Sequence, residues 1–151
     1  MAKHNYIKIS RKSPLFKRIC TYCDRKIVEE NLSINGGTLN YSGIIHDSDC
    51  LIVCFDKTTP IGFNSLIELD EYLYVYQIAI KKEHKQQGIG THLMDIAISI
   101  AKKKEKPITA HVRDYNTASN RLFQKLGFEV LEPGSNTLYV LDPKQIKSQK
   151  R

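Results

Sequence analysis

The chain has 151 residues, of which 41% are hydrophobic, and its 23 lysines and arginines against 16 aspartates and glutamates give a formal net charge of +7. This length suits one domain, and the composition excludes an intrinsically disordered chain. No apolar run approaches the roughly 20 residues of a transmembrane helix, and the first residues lack the apolar stretch of a secretory signal. We therefore expect a single cytoplasmic domain over residues 1–142, followed by a basic tail over residues 143–151.

The positive charge lies at the two ends of the chain. Residues 1–18 contain six basic and no acidic residues, and residues 143–151 contain four basic and no acidic residues. The segment between them has 13 basic and 16 acidic residues, a balance of −3. A basic tail can attract RNA or an acidic partner. Because no basic motif is interleaved with aromatic residues, we do not expect nucleic-acid binding to be the main role.

The order of the predicted elements indicates an α/β chain with one mixed sheet. Alternating apolar and polar residues predict a first strand, and a serine followed by a proline predicts the start of the first helix. The segment 31–49 is predicted to be a loop with a short helix near residues 39–45. The predicted strands cover residues 5–10, 50–55, 61–69, 72–80, 108–112, 128–131 and 137–141, and the predicted helices cover residues 13–30, 89–106 and 117–126.

The four cysteines could be thiols, zinc ligands or a redox pair. Cys20 and Cys23 form a Cys-x-x-Cys motif inside a helical pattern, where both can simply face the core. Cys50 and Cys54 lie on an apolar strand, and four strand residues span roughly 13 Å, too far for both sulfurs to bind one tetrahedral zinc ion. In a chain without a secretory signal we expect reduced thiols and no metal site.

A glycine-rich turn, Gln-Gly-Ile-Gly over residues 87–90, joins the predicted strand 72–80 to the predicted helix that follows. Glycines let other groups approach the backbone, and the free amides at a helix start attract an anion, for which a pyrophosphate is a natural occupant. Such a turn also occurs without any ligand. The segment has neither the Walker motif nor the full dinucleotide-binding fingerprint.

A second segment, residues 116–128, predicts a helix with an apolar face and a glycine at its end. In this order, the two segments resemble the motifs of the GNAT family of N-acetyltransferases, Gln/Arg-x-x-Gly-x-Gly/Ala and Asn-x-x-Ala-x-x-x-Tyr-x-Lys-x-Gly-Phe. Residues 85–90 match the first motif except that lysine occupies its first position. The second motif is matched at Asn116, Lys125, Gly127 and Phe128, with Ser119 in place of alanine and Phe123 in place of tyrosine. The resemblance covers residues 50–141.

The resemblance implies a GNAT-like fold, with a central mixed sheet of about six or seven strands flanked by about four helices and splayed beside the cofactor loop. It also implies acetyl-coenzyme A as co-substrate and no metal. Backbone groups of Ile78 and Ile80 would pair with the pantetheine arm, and the Ile78 amide would polarise the thioester carbonyl. Asn116, Ser119 and Phe123 would belong to the same cofactor site. The pyrophosphate would lie on Lys85, Gln86, Gln87, Gly88, Ile89, Gly90 and Thr91.

Transfer of the acetyl group to a primary amine of a small molecule, protein or peptide requires removal of a proton from the amine. Many relatives carry a glutamate four residues before the carbonyl-binding position, which is Tyr74 here, a poor base. The ribosomal-protein N-terminal acetyltransferases carry one five residues before the motif asparagine, which is His111 here. We expect His111 to be the base because an imidazole titrates near pH 6.5; a structural histidine is the alternative. Since Phe123 has no hydroxyl, Tyr139 or Tyr115 is the candidate proton donor to the thiolate.

The acceptor and the oligomeric state are left open by the sequence. Glu68 and Glu71 lie on the acceptor side by chain order, where they would attract a cationic amine or be solvated turn carboxylates. The alternative to an enzyme is a non-catalytic acyl-CoA-binding or regulatory module, which the missing tyrosine and glutamate suggest. A homodimer is compatible with the sequence.

Overall fold

The computed structural model describes residues 4–29 and 44–146. Seven strands form one sheet: β1 (Asn5–Ser10), β2 (Cys50–Asp56), β3 (Thr59–Glu68), β4 (Leu73–Ile80), β5 (Ile108–Arg113), β6 (Glu129–Glu132) and β7 (Asn136–Leu141). Three α-helices are present in the described part: α1 (Phe16–Cys23), α2 (Ile89–Lys103) and α3 (Thr117–Lys125). A π-helical turn, Asp24–Val28, continues α1, and short 3₁₀ turns cover Ile44–Asp47, Lys82–His84 and Pro143–Ile146.

The strand order is β1-β2-β3-β4-β5-β7-β6. Every neighbouring pair is antiparallel except β4 and β5, which are parallel and joined through α2. This mixed open sheet confirms the predicted fold class. Parallel neighbours need a long crossover, which explains why the fifteen-residue α2 lies between them.

The two faces of the sheet have separate cores. The helix α2 covers one face with its buried residues Ile89, Leu93, Met94, Ala97, Ile98 and Ala101. On the opposite face, α1 and its π-helical extension pack against β2, β3 and the end of β4. Their buried cluster contains Phe16, Cys20, Cys23, Ile27, Val28, Leu51, Val53, Phe63 and Ala79. The face under α2 is called the α2 face below, and the other the α1 face.

A bulge in β4 changes which side chains point to each face. The register with β3 shifts between Ser65 and Leu66, so that Gln77 pairs with Ser65, Val75 pairs with Leu66, and Tyr76 has no partner. Val75 before the bulge and Ile78 after it, three positions apart, therefore both contact the core of the α2 face. In an unbroken strand, residues three apart would point to opposite faces.

The described residues correct one prediction and leave two others largely outside their range. The first helix begins at Phe16 rather than at Ser13, because Ser13 forms a turn in which its hydroxyl accepts the amide of Leu15 at 3.2 Å and its carbonyl accepts that of Phe16 at 3.1 Å. The short helix expected near residues 39–45 lies mostly outside the described part, whose second range opens with the 3₁₀ turn Ile44–Asp47. The basic tail beyond residue 146 also lies outside it. No helix among the described residues is long and apolar enough to span a bilayer.

Candidate active site

A cleft opens between β4 and β5, at the one parallel pairing of the sheet. The two strands pair at only three positions, the last of which joins Val75 to Ala110. Beyond this point β4 continues through Ile78 and Ile80 with β3 as its partner, whereas β5 continues through His111 with β7 as its partner. The predicted splay of the sheet is thus present, and Ile78 and Ile80 lie on the β4 wall of the cleft.

The loop after β4 leads directly into the start of α2. The amide of Lys81 donates to the carbonyl of Ile61 at 2.8 Å, which anchors the loop to β3. Gln86 and Gly88 have φ values of +65° and +80°, so the chain turns sharply before the helix. The amide of His92 donates to the carbonyl of Gly88 at 3.1 Å and forms the first turn of the helix. The amides immediately before it are those that a helix start leaves without an intrahelical acceptor.

Gly90 joins the helix start to both walls of the site. A Cβ atom at Gly90 would lie 3.5 Å from the Cδ1 atom of Ile80 and 3.5 Å from the Cδ2 atom of Leu122. The end of β4, the start of α2 and the middle of α3 therefore converge around this residue. Lys85, Gln86 and Gln87 are exposed on the rim, Ile89 is buried, and Thr91 is half-buried in the first turn of α2.

Asn116 begins α3 and has a structural role of its own. Its Oδ1 atom accepts the amide of Ser119 at 3.1 Å and so caps the helix. Asn120, which the sequence analysis did not single out, donates to the carbonyls of Arg113 and Asn116 at 3.0 and 2.9 Å. These bonds hold α3 against the end of β5. The four-residue spacing of Asn116 and Asn120, which places both on one side of a helix, is the sequence feature that could have predicted the role of Asn120.

Phe123 and Tyr139 lie in the core of the α2 face, where their rings stack at a centroid distance of 5.5 Å. Each side chain is 1% exposed. The hydroxyl of Tyr139 donates to Oδ1 of Asn120 at 2.6 Å and accepts a hydrogen bond from Nε2 of Gln124 at 3.3 Å. These contacts tie β7 to α3. The predictions that Phe123 contacts the cofactor and that Tyr139 protonates the thiolate stay predictions.

Tyr74 and His111, 37 residues apart in the chain, meet across the base of the cleft. The hydroxyl of Tyr74 lies 2.8 Å from Nδ1 of His111, and the two rings are arranged edge to face at a centroid distance of 5.7 Å. These are the two positions at which the resemblance places a base in different branches of the family. No motif or spacing in the chain predicts that these two side chains touch. Below, the pair is called the Tyr74–His111 dyad.

The dyad lies on the α1 face. Tyr74 pairs in register with Thr109, so the two side chains point to the same face, and His111 is two residues further along β5. Tyr139 pairs with Ala110 and points to the α2 face. The two residues predicted to be catalytic, His111 and Tyr139, are therefore on opposite faces of the sheet. The Oγ1 atom of Thr109 is buried and has no hydrogen-bond partner among the described residues.

The Tyr74 phenol of the dyad is uncharged at neutral pH. Burial raises the pKa of Tyr74 above its ordinary value of 10, and the neighbouring Tyr76 and Tyr72 add to the rise. The phenol thus stays protonated at neutral pH and acts as a hydrogen-bonding partner of the imidazole rather than as a base. Tyr115, the other candidate proton donor, is 57% exposed in the turn between β5 and α3.

The turn that follows β3 is closed by ion pairs. The carboxylate of Glu68 contacts Nζ of Lys104 at 2.9 Å and Nζ of Lys106 at 3.0 Å. These hydrogen bonds lower the pKa of Glu68 below its ordinary value of 4.5. Lys106 also donates to the carbonyl of Leu69 at 2.7 Å. Of the two alternatives for Glu68, a group that attracts a cationic amine or a solvated turn carboxylate, the structure shows neither: its charge is paired with two lysines that follow α2. Glu71 is exposed in the same turn.

The four cysteines lie on α1 and β2, away from the cleft, and none of them forms a disulfide bond. Cys20, Cys23 and Cys54 are buried and Cys50 is half-buried. Burial raises the pKa of the Cys20 thiol to about 12 and raises that of the other three as well. Within residues 4–29 and 44–146, no three histidine, cysteine or acidic side chains converge as metal ligands.

Comparison with known proteins identifies the family. The family model described as "Acetyltransferase (GNAT) family" matches residues 21–128. The chain therefore belongs to the GNAT family of acetyltransferases, as its two motifs predicted.

Three relatives illustrate this similarity. An uncharacterised N-acetyltransferase of Methanocaldococcus jannaschii is 32% identical over 94 residues, which are 57% of this chain and 42% of that protein. The PaiA N-acetyltransferase of Thermoplasma acidophilum, solved with coenzyme A, aligns over 93% of this chain and 99% of its own with a TM-score of 0.67 at 18% identity. A streptothricin acetyltransferase of Bacillus anthracis, solved with acetyl-coenzyme A, aligns over 63% of each chain with a TM-score of 0.57 at 19% identity.

Proposed function

We propose that the protein is an acetyl-CoA-dependent N-acetyltransferase that acetylates a primary amine by direct attack on the thioester. The observation that carries this proposal is the cleft, because the one parallel pair among the described strands separates after three positions, directly beside the start of α2. The first amides of a helix have no intrahelical acceptor. Acetyltransferases of the same fold solved with coenzyme A and with acetyl-CoA support the choice of co-substrate.

The residues around the cleft fit acetyl-CoA. Amides at the start of α2 would bind the pyrophosphate, since a helix start favours negative charge. The backbone of Ile78 and Ile80 would pair with the pantetheine arm on the cleft side of β4. Because the Oδ1 atom of Asn116 caps α3, the nitrogen of its side-chain amide is the part left to donate to this arm. The contact of Gly90 with β4 and α3 would let one extended ligand reach all three elements.

The Tyr74–His111 dyad would supply the base. When bound, acetyl-CoA provides an acetyl group activated as a thioester. In this role, Nδ1–H of His111 donates to the phenol oxygen of Tyr74, which leaves Nε2 to take a proton from the amine directly or through one water molecule. The Ile78 amide would stabilise the negative charge on the carbonyl oxygen. The departing thiolate is a tolerable leaving group because a thiol has a pKa of about 8.5, and Tyr139 or water would protonate it.

A coupled binding and turnover experiment tests the proposal. We expect acetyl-CoA to raise the melting temperature and free CoA to be released only when an acceptor amine is added. Thermal stabilisation without release of CoA for any amine would support the non-catalytic module instead. The absence of both effects would remove the cofactor assignment.

A further inference from the structure

We propose that the acceptor is a linear diamine or polyamine, in which an apolar spacer joins the attacked amine to a second cationic group about 10 Å away. The inference rests on the proposed acetyltransferase function and assigns its substrate class. It is carried by two rows of side chains that cross the α1 face from the Tyr74–His111 dyad to the edge strand β6.

The registers of the strands define the two rows. Each row contains one residue of β5, one of β7 and one of β6, paired directly with each other, and Tyr74 of β4 extends the first row. Residues that are directly opposite in a sheet point to the same face. The first row is Tyr74, Thr109, Val140 and Glu129, and the second row is His111, Leu138 and Glu132. Both rows thus begin at the dyad and end at a glutamate.

The middle of both rows is apolar and lies outside the core beneath α1. Leu138 and Val140 are half-buried. Among the described residues, the buried cluster beneath α1 draws on α1, its π-helical extension and β1–β4, with no member from β5, β6 or β7. An alkyl spacer lying over Leu138 and Val140 would remove their exposed parts from water, which favours an apolar connection between the two ends of the acceptor.

The two carboxylates at the far end of the rows are available to a ligand. The register shift in β6 between Val130 and Glu132 places Glu129 and Glu132, three positions apart, on one face, and both are exposed. Unlike Glu68, neither of them forms an ion pair with a cation in the described part of the chain. Because β7 lies between β5 and β6, two strand spacings of about 4.8 Å put these carboxylates about 10 Å from the dyad. This separation sets the distance between the two amines.

A positive charge closes the alternative path along β5. Arg113 pairs with Asn136 in the next position of the same face beyond His111, and its side chain is exposed. Its guanidinium would repel a second ammonium group that extended along β5. The charges of this face therefore direct the far end of a cationic acceptor across β7 to β6.

Thr109 gives an independent indication of a ligand at the dyad end of the rows. Its side chain is 8% exposed, and its Oγ1 atom has no hydrogen-bond partner among the described residues. Buried polar atoms almost always have a partner, so an unsatisfied hydroxyl beside the dyad points to a polar group that is supplied from outside the chain. A neutral primary amine carries two N–H bonds, and one of them can donate to this oxygen.

The proposed step balances as an ordinary acyl transfer. The nitrogen of one terminal amine bonds to the carbonyl carbon, and the carbon–sulfur bond of acetyl-CoA breaks. The proton lost by the amine passes through the base to solvent, and the thiolate takes a proton. The second ammonium group stays unchanged, so the products are a monoacetylated diamine and free CoA.

A series of amines of increasing length tests the spacing, with CoA release and product mass as readouts. In an extended chain each bond advances about 1.25 Å, so the two nitrogens of 1,7-diaminoheptane are about 10 Å apart. The series is 1,3-diaminopropane, 1,5-diaminopentane, 1,7-diaminoheptane and 1,9-diaminononane. We expect kcat/KM to be highest for 1,7-diaminoheptane and about tenfold higher than for 1-aminoheptane, which lacks only the second amine.

Charge removal tests the two carboxylates directly. Glu129→Gln/Glu132→Gln should lower kcat/KM for 1,7-diaminoheptane to the value for 1-aminoheptane by raising KM, and the difference between wild type and variant should shrink as salt is added. The matched control, Glu29→Gln/Asp47→Asn, removes the same charge from two exposed residues near α1 and should keep the preference for the diamine.

The outcomes separate this inference from the proposed function. Equal kcat/KM for 1,7-diaminoheptane and 1-aminoheptane, a maximum at 1,3-diaminopropane, or a preference that survives in Glu129→Gln/Glu132→Gln would overturn the inference while acetyl transfer stands. If acetyl-CoA binds but no amine of the series releases CoA, both proposals fail.

Discussion

The Tyr74–His111 dyad makes a quantitative prediction about turnover. Removing the imidazole in His111→Ala takes away the proposed base, and loss of a general base costs about 10²-fold or more in kcat. Tyr74→Phe removes only the bond of 2.8 Å that orients the ring. A bond between two neutral groups contributes about 1 kcal/mol net, and 1.4 kcal/mol corresponds to tenfold in rate, so we expect a loss of about five- to tenfold.

The double variant decides whether the two residues act as a unit. If Tyr74 works only through His111, the double variant is as slow as His111→Ala alone, because there is no ring left to orient. KM for acetyl-CoA should stay the same in all three variants. Tyr72→Phe, on the turn just before β4, is the matched control and should keep normal turnover.

Steady-state CoA release between about pH 6 and pH 9 is the assay, with circular dichroism to check the fold. Each single variant should lower the melting temperature by no more than a few degrees, since about 1 kcal/mol corresponds to roughly 2–4 °C at this size. If the decrease in kcat of the double variant equals the product of the two single decreases, Tyr74 acts independently of His111. Near-normal turnover of a folded His111→Ala variant across this range would show that the histidine is structural.

Three further predictions concern the surroundings of the cleft. Gly90→Glu places a carboxylate where the pyrophosphate is expected, so thermal stabilisation by acetyl-CoA should be lost while the circular dichroism spectrum is retained. In Gly88→Ala the added Cβ atom has no neighbour within 4 Å, so this variant should instead lower the free energy of unfolding because alanine disfavours the positive φ. Tyr139→Phe leaves Oδ1 of Asn120 without its buried donor and should lower the free energy of unfolding in urea by about 1–3 kcal/mol. An unchanged midpoint of urea unfolding would contradict the hydrogen bond between Tyr139 and Asn120. Glu68→Gln should cost less than about 1 kcal/mol at neutral pH. Because the folded pKa of Glu68 is lowered, the stability that its carboxylate adds is present above pH 4.5 and is lost as pH falls through the folded pKa. In chemical denaturation, the free energies of unfolding of the wild type and the variant should therefore become equal at that low pH.

The elements of this fold are largely readable from local patterns. Aromatic and β-branched residues mark β4, the helical spacing of apolar residues marks α2, and Gly127 ends α3. The glycine-rich turn before α2 is predictable for the same reason, since a glycine turn between a strand and a helix is a local feature. Ser13 misled the prediction because a serine before a proline also suits the turn that precedes a helix.

Local patterns did not predict the contact between Tyr74 and His111. This contact depends on the pairing of Tyr74 with Thr109 across a parallel register, which neither strand encodes by itself. The sequence does not predict the bulge at Tyr76 either, because tyrosine is an ordinary strand residue. The capture of Glu68 by Lys104 and Lys106 likewise needs the end of α2 to lie beside the turn after β3. Pairings between distant segments require the assembled sheet.

The short parallel pairing between β4 and β5 divides the sheet into two groups of strands. The group β1–β4 carries α1 and leads into the glycine-rich turn before α2, and the group β5–β7 carries α3, Asn116 and His111. Three backbone pairs, the helix α2, the Tyr74–His111 hydrogen bond and one continuous core connect the two groups. The separation of the strands is therefore fixed by packing on both sides of the point where they diverge. A molecule lying across the cleft would contact both groups of strands and so bridge the Ile78 amide and the imidazole of His111.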